Sequence, residues 1–221
     1  MNLIIGIIAL FSCFTVVVIL DKKYPKYGLT VWISIATLIA NIAVCKQIKI
    51  LGYMSALGNI LFASVFLASD ILTEKYGKQF SNRAINLSVI MTIVFMISTQ
   101  IILLFKPENS QIQEAMTILF NFNFRVSLSS LLMYFLSSKA DIFVYSKIKQ
   151  LVPDKLWLRN NLSTILCNCL ENFGFSFMAF LFVLPVKDIL IICITSSVIE
   201  TIIAIADTPF MYLAKKVDSN G

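Results

Sequence analysis

The stretch NLIIGIIALFSCFTVVVIL at residues 2–20, followed at once by DKKYPK at residues 21–26, decides the fold. An apolar run of this length crosses the ~30 Å hydrocarbon core of a bilayer as a helix, the conformation that satisfies its own backbone hydrogen bonds there. No basic residue precedes it and no small-residue cleavage site follows it. It therefore reads as an uncleaved anchor whose trailing Lys22, Lys23 and Lys26 stay on the cytoplasmic side. Working outward, six further apolar runs appear near residues 29–45, 50–72, 84–105, 116–138, 162–184 and 189–213. Over 221 residues, 58% are hydrophobic and 14% charged, and the mean hydropathy is +0.86. A soluble domain of this size cannot hide so much apolar surface, which excludes most soluble enzymes.

The expected architecture is all-α: a polytopic bundle of about seven transmembrane helices, six core spans plus an N-terminal extra helix, forming a single integral membrane domain over residues 1–221. The net charge of +6 comes from scattered Lys and Arg rather than from a patch suited to nucleic acid. Alternate connections carry the bias. Lys22, Lys23, Lys26, Lys75, Lys78, Arg83, Lys147, Lys149, Lys155, Arg159, Lys215 and Lys216 fall on one side, against Lys46, Lys49, Lys106 and Lys187 on the other. By the positive-inside rule the N-terminus is outside and the C-terminus cytoplasmic. The chain has no His, so no His-ligated metal and no His-containing triad is available. Its five cysteines lie in or beside apolar runs and read as packing residues, so no metal and no bound cofactor are expected.

Charges inside spans are costly and mark sites by default. Arg125 is about nine residues into the fifth run, Glu171 about nine into the sixth and Glu200 about eleven into the seventh, depths of roughly 14 Å or a little more. Opposite charges thus arrive near the midplane from three consecutive spans, with one carboxylate in surplus. Around them lie Phe122 and Phe124 before Arg125, and Asn168 and Asn172 flanking Glu171. Aromatic faces, amides and a carboxylate suit a flat heterocycle with several N–H donors. Asp70 and Glu74, followed by Lys78, read as a salt-bridged helix end. Asp141 with Lys147, and Asp207 before Pro209, read as interfacial; Pro209 lies late in the last run and can kink it.

At these residues the chain resembles the queuosine precursor transporter family of the vitamin uptake transporter group, from about Asn41 onward. SDILTEKYGK at residues 69–78 resembles the family's Asp-x-x-x-Glu-x-Tyr-Gly motif through Asp70, Glu74, Tyr76 and Gly77. Arg125, Ser129, Ser130, Asp141, Phe143 and Lys147 follow in the family's order. LWLRNNLSTILCN at 156–168 matches through Trp157, Arg159, Asn160, Ser163, Thr164 and Asn168, and DTPFMY at 207–212 supplies the last match. Family members usually carry Asp where Glu171 stands and often Lys where Glu200 stands. The resemblance implies a small-molecule cargo, a 7-deazaguanine base such as queuine or its aminomethyl or nitrile precursor, imported across the cytoplasmic (inner) membrane for tRNA modification. Glu171 with Asn168 or Asn172 would then take the base's N–H edge, Arg125 its carbonyl, and Glu200 a cationic amine. Such a protein touches no nucleic acid directly, can form homo-oligomers, and is not an enzyme. No ATP-binding G-x-x-x-x-G-K-[ST] occurs. Two rivals remain at this point: a substrate-binding subunit of an energy-coupling-factor vitamin importer, and a membrane enzyme using Asp70, Glu74 and Asp141.

Overall fold

The computed structural model describes residues 2–43, 46–50, 53–108, 110–120 and 124–218; the side chains at 47–50, 53–56, 124–126 and 217–218 lie outside that description. The order is α1 (Asn2–Lys23), α2 (Tyr27–Ala43), β1 (Gln47–Ile50), β2 (Tyr53–Ala56), α3 (Gly58–Leu104), α4 (Ser110–Phe120), α5 (Phe124–Leu151), α6 (Leu156–Phe180) and α7 (Val186–Asp218). The protein is a polytopic all-helical membrane bundle, with one small addition. The run expected as a span near 50–72 begins with an antiparallel hairpin, Ile50 opposite Tyr53 and Gln47 opposite Ala56, and becomes helical only at Gly58. Ile48 and Ile50 alternate with Gln47 and Lys49, a period of two that favours strand over helix.

The helix α3 is two spans in one. At Gly77 the backbone takes φ 80° and ψ 165°, a region essentially restricted to glycine, and the helix breaks there. The arms on either side fold back together, since the Ser69 and Ser81 hydroxyls lie 3.1 Å apart although 12 residues separate them. A Cβ at Gly77 would meet nothing within 4 Å, so the cost of substitution is backbone strain alone. Gly77→Ala is expected to destabilise the protein by about 1–3 kcal/mol, read as a Tm several degrees lower in detergent. An unchanged Tm would remove the hairpin turn from the account.

Of the run at 116–138, expected as one span, residues 121–123 lie outside the described residues. The helix α4 ends at Phe120 and α5 starts at Phe124. At 1.5 Å per residue, α4 is only ~16 Å long, half a crossing. It lies back along the end of α3: Gln100 Nε2 donates to the Phe120 carbonyl at 2.7 Å, Gln113 Nε2 to the Leu103 carbonyl at 3.0 Å, and the Phe95 and Phe120 rings sit 6.2 Å apart.

The basic connections gather at one end of the bundle. Asp21, buried at the end of α1, pairs with Lys75 at 2.7 Å, and the Lys26 ammonium stands 4.6 Å from the Phe80 ring centroid. The ends of α5 and α7 reach the same place through Lys149 and Lys215, both near Glu74. Apolar packing concentrates among α1, α2 and the first arm of α3, where Phe14, Val17, Leu29, Ile33, Leu67 and Ile71 are fully buried. Phe14 also stacks on Phe210, ring centroids 5.2 Å apart, which ties α1 to α7. Outward faces are apolar as lipid requires, with Ile4, Ile8, Ile90, Ile97, Ile202 and Ile205 exposed. Among the described residues, α1, α3 and α7 are long and apolar enough to cross a membrane. The helices α5 and α6 are less apolar because they turn polar side chains inward.

Candidate functional site

The inward face of α6 is polar along most of its length. Arg159, Asn160, Ser163, Thr164, Cys167, Asn168, Glu171 and Asn172 recur at spacings of three and four, one stripe of an α-helix. Ser137, Ser138, Asp141 and Tyr145 of α5 face it, with Asp70 and Glu74 of α3 and Ser197, Glu200 and Asp207 of α7. Three levels follow one another along this column.

At the basic end, Glu74 joins four helices. Arg159 is buried and its guanidinium grips both carboxylate oxygens, Nε to Oε2 at 3.0 Å and Nη2 to Oε1 at 2.8 Å, while Nη1 donates to the Pro153 carbonyl at 2.7 Å. The Tyr145 hydroxyl donates to Glu74 Oε2 at 3.0 Å, and Lys149 Nζ to the Glu74 backbone carbonyl at 2.6 Å. Lys215 completes the cluster at 3.8 Å. A bidentate Arg–carboxylate pair fixes direction as well as distance, so this end of the bundle is pinned.

About one turn inward lie three carboxylates from three helices. Asp70, Asp141 and Asp207 are each 1% exposed or less. Asp70 and Asp141 face each other within hydrogen-bonding reach. The Thr164 hydroxyl donates to Asp70 Oδ2 at 3.4 Å and the Asn160 amide to Asp207 Oδ1 at 2.6 Å. No lysine or arginine forms an ion pair with any of the three among the described residues.

Two turns further along α6, roughly 10 Å from Thr164, the Ser137 hydroxyl donates to Glu171 Oε2 at 2.5 Å. Tyr134 of α5 is buried beneath it and bridges Ser88 at 2.6 Å and Thr37 at 3.3 Å. Glu200 accepts from the Asn172 amide at 2.7 Å and is close enough to interact electrostatically with Glu171. The Asn172 amide also points to the Ser197 hydroxyl at 3.4 Å. The Asn168 carbonyl oxygen is buried with no donor.

Several expectations change in this light. Glu171 and Glu200 do meet, but Asn172 serves Glu200 rather than Glu171. Phe122 lies outside the described residues, as do the side chains of Phe124 and Arg125. The Arg125 backbone opens α5, twelve residues or ~18 Å along the helix from Ser137. Glu74 does not form the helix-end stripe with Lys78: Gly77 breaks the helix between them, and Lys78 instead stands over the Phe143 ring at 4.4 Å. Lys147 stands over the other reach of Phe143 at 5.9 Å, leaving Asp141 to turn inward. Asp70, Asp141 and Asp207 are buried within the bundle, each on its helix's packed face. Trp157 is half exposed, Tyr76 packs on Phe80 with ring centroids 5.9 Å apart, and Pro209 lies inside α7 beside Thr208, whose hydroxyl accepts from Asn161 at 2.7 Å. Ser137, Tyr134, Tyr145, Ser197 and Asp21 were missed. The three-and-four spacing of hydroxyls on α5 was the available signal for the first three.

Residues 56–214 match the family model described as "Putative vitamin uptake transporter". A Bacillus subtilis (strain 168) protein named "Probable queuosine precursor transporter" is 37% identical over 212 residues, covering 94% of this chain and 92% of that protein. The chain belongs to the queuosine precursor transporter family. An Escherichia coli (strain K12) protein named "Queuosine precursor transporter" is 27% identical over 163 residues, 72% of each chain. No solved structure matches. The portion matched by the family model contains all three polar levels of this chain, contributed by α3, α5, α6 and α7. The helices α1 and α2 precede it and supply apolar packing.

Proposed function

We propose that the protein imports a 7-deazaguanine base, queuine or its aminomethyl or nitrile precursor, across the cytoplasmic membrane for tRNA modification, with the N-terminus outside and the C-terminus cytoplasmic. The observation that carries this reading is the Glu171–Glu200 pair: two partly buried carboxylates from adjacent helices, held by Ser137 and Asn172, with no lysine or arginine paired to either among the described residues. Such a pair attracts a ligand that brings N–H donors or a positive charge. A guanine-like edge offers two adjacent N–H groups to Glu171, and the Asn168 oxygen has no donor of its own. Glu200 then complements the amine of queuine or of the aminomethyl base. The names of the relatives support a transporter rather than an enzyme, and the polar column supports a route along α5, α6 and α7.

A ligand that prefers the folded state raises its stability. The purified protein is expected to gain Tm with a 7-deazaguanine base and not with guanine, and the two amine-bearing bases are expected to outrank the nitrile. In Glu200→Lys this order reverses. Equal shifts for all bases and for guanine would overturn the cargo reading. Uptake by this chain alone in proteoliposomes separates a self-sufficient importer from a subunit that needs an energising partner.

A further inference from the structure

The acidic level between the Glu74 cluster and Glu171 is not used by the cargo reading. Asp70 of α3, Asp141 of α5 and Asp207 of α7 are buried, and the donors beside them are neutral hydroxyls and an amide rather than lysine or arginine. If all three are ionised, Asp70 Oδ1 and both Asp141 oxygens have no donor. The Ser163 and Thr164 hydroxyls of α6 lie close enough to Asp141 to favour an ionised carboxylate, but neither makes a well-formed hydrogen bond to it, and neither brings a positive charge. A second, independent feature is Asn160: its amide donates to Asp207, while its own carbonyl oxygen, in a residue with no exposed surface, has no donor. An orphaned buried acceptor beside three uncompensated carboxylates marks a place where positive charge or donor hydrogens are missing.

Charged groups on every packed element leave the deficit standing. On α3, Glu74 is fully engaged by Arg159, Lys149 and Lys215. Tyr145 of α5 donates its hydroxyl to Glu74, away from the aspartates. Cys167 of α6, the remaining titratable neighbour, lies between Asp141, Asp70 and Glu171 and brings no positive charge. The three carboxylates do not close on a single metal-sized point among the described residues. What fits between two facing carboxyls is a proton, since two like charges at contact cannot both persist out of water.

We propose that Asp70 and Asp141 hold one proton between them, with Asp207 and Asn160 as the adjoining acceptor, and that loading and unloading of this proton is coupled to transport. The carboxyl that carries the proton donates to its ionised partner, which changes the net charge of the level by one on each release. The site is distinct from Glu171 and Glu200, about 10 Å away along α6, although the coupling half of the proposal rests on the transporter reading.

Two measurements test it. Infrared spectroscopy of the protein without cargo at neutral pH should show, in wild-type-minus-variant difference spectra, a protonated carboxylic-acid carbonyl band that is shifted in D2O and lost in Asp141→Asn and in Asp70→Asn, separate from any band of the Glu171–Glu200 pair. Either substitution replaces the proton by an amide donor and leaves the net charge unchanged, so both variants should fold with a Tm near that of the wild type. Absence of the band, or its survival in both variants, overturns the proposal whatever the cargo. In proteoliposomes, an imposed pH gradient should accelerate uptake of the base several-fold in the wild type and leave Asp141→Asn unaffected, while the base-induced Tm shift remains. Acceleration by a sodium gradient instead of a pH gradient, or equal pH-driven acceleration in Asp141→Asn, refutes coupling through this site. If no base is carried at all while the band behaves as expected, the cargo reading fails and the proton site stands.

Discussion

Arg159→Ala is expected to cost about 3–5 kcal/mol, the penalty for removing one partner of a buried ion pair and stranding the other. The guanidinium makes three side-chain bonds at 2.7–3.0 Å, two to Glu74 and one to the Pro153 carbonyl. All three are lost together, and Lys149 at 3.3 Å and Lys215 at 3.8 Å are too exposed to replace them. For a chain of this size the loss corresponds to a Tm lower by at least ~6 °C. Arg159→Lys restores the charge but not the fork, and should recover only part of the difference. The double variant Arg159→Met with Glu74→Met removes both charges and is expected to recover more stability than Arg159→Ala. A single Arg159→Ala variant within about 1 kcal/mol of wild type would show that the Glu74 cluster does not hold the four helices together.

The second large effect concerns cargo. Glu171→Gln preserves shape and the contact with Ser137 but removes the charge, so each hydrogen bond that the carboxylate accepts from the base loses its charge assistance. A loss of about 1.5–3 kcal/mol lowers affinity by roughly 10- to 150-fold. Equilibrium binding of the preferred base to the purified variant measures it, with ligand-free Tm as the control for folding. Glu171→Asp, which keeps the carboxylate, should bind within a few-fold of wild type. Wild-type affinity in Glu171→Gln would place the cargo elsewhere in the bundle.

The bundle was legible in the chain because lipid imposes a length and a composition on every crossing, and those two quantities are linear in sequence. The basic connections were legible for the same reason, as anchoring charges recur beside each apolar run. The hairpin turn at Gly77 was visible as a glycine amid basic residues, but its consequence was not: spacing suggested Glu74 and Lys78 as neighbours, whereas φ 80° at Gly77 sends Lys78 to Phe143.

Sequence alone determined that the protein is a helical membrane bundle, that charged residues recur along its later helices, and that its motifs are those of queuosine precursor transporters. Only the folded chain decided which charges share a space. Asp70, Asp141 and Asp207 are 71 and 66 residues apart along the chain, and each alone looks like a helix end near water. Their convergence depends on the rotation of each helix about its axis and on how α3 doubles back, and a helix's rotation is set by the neighbours it packs against, not by its own residues.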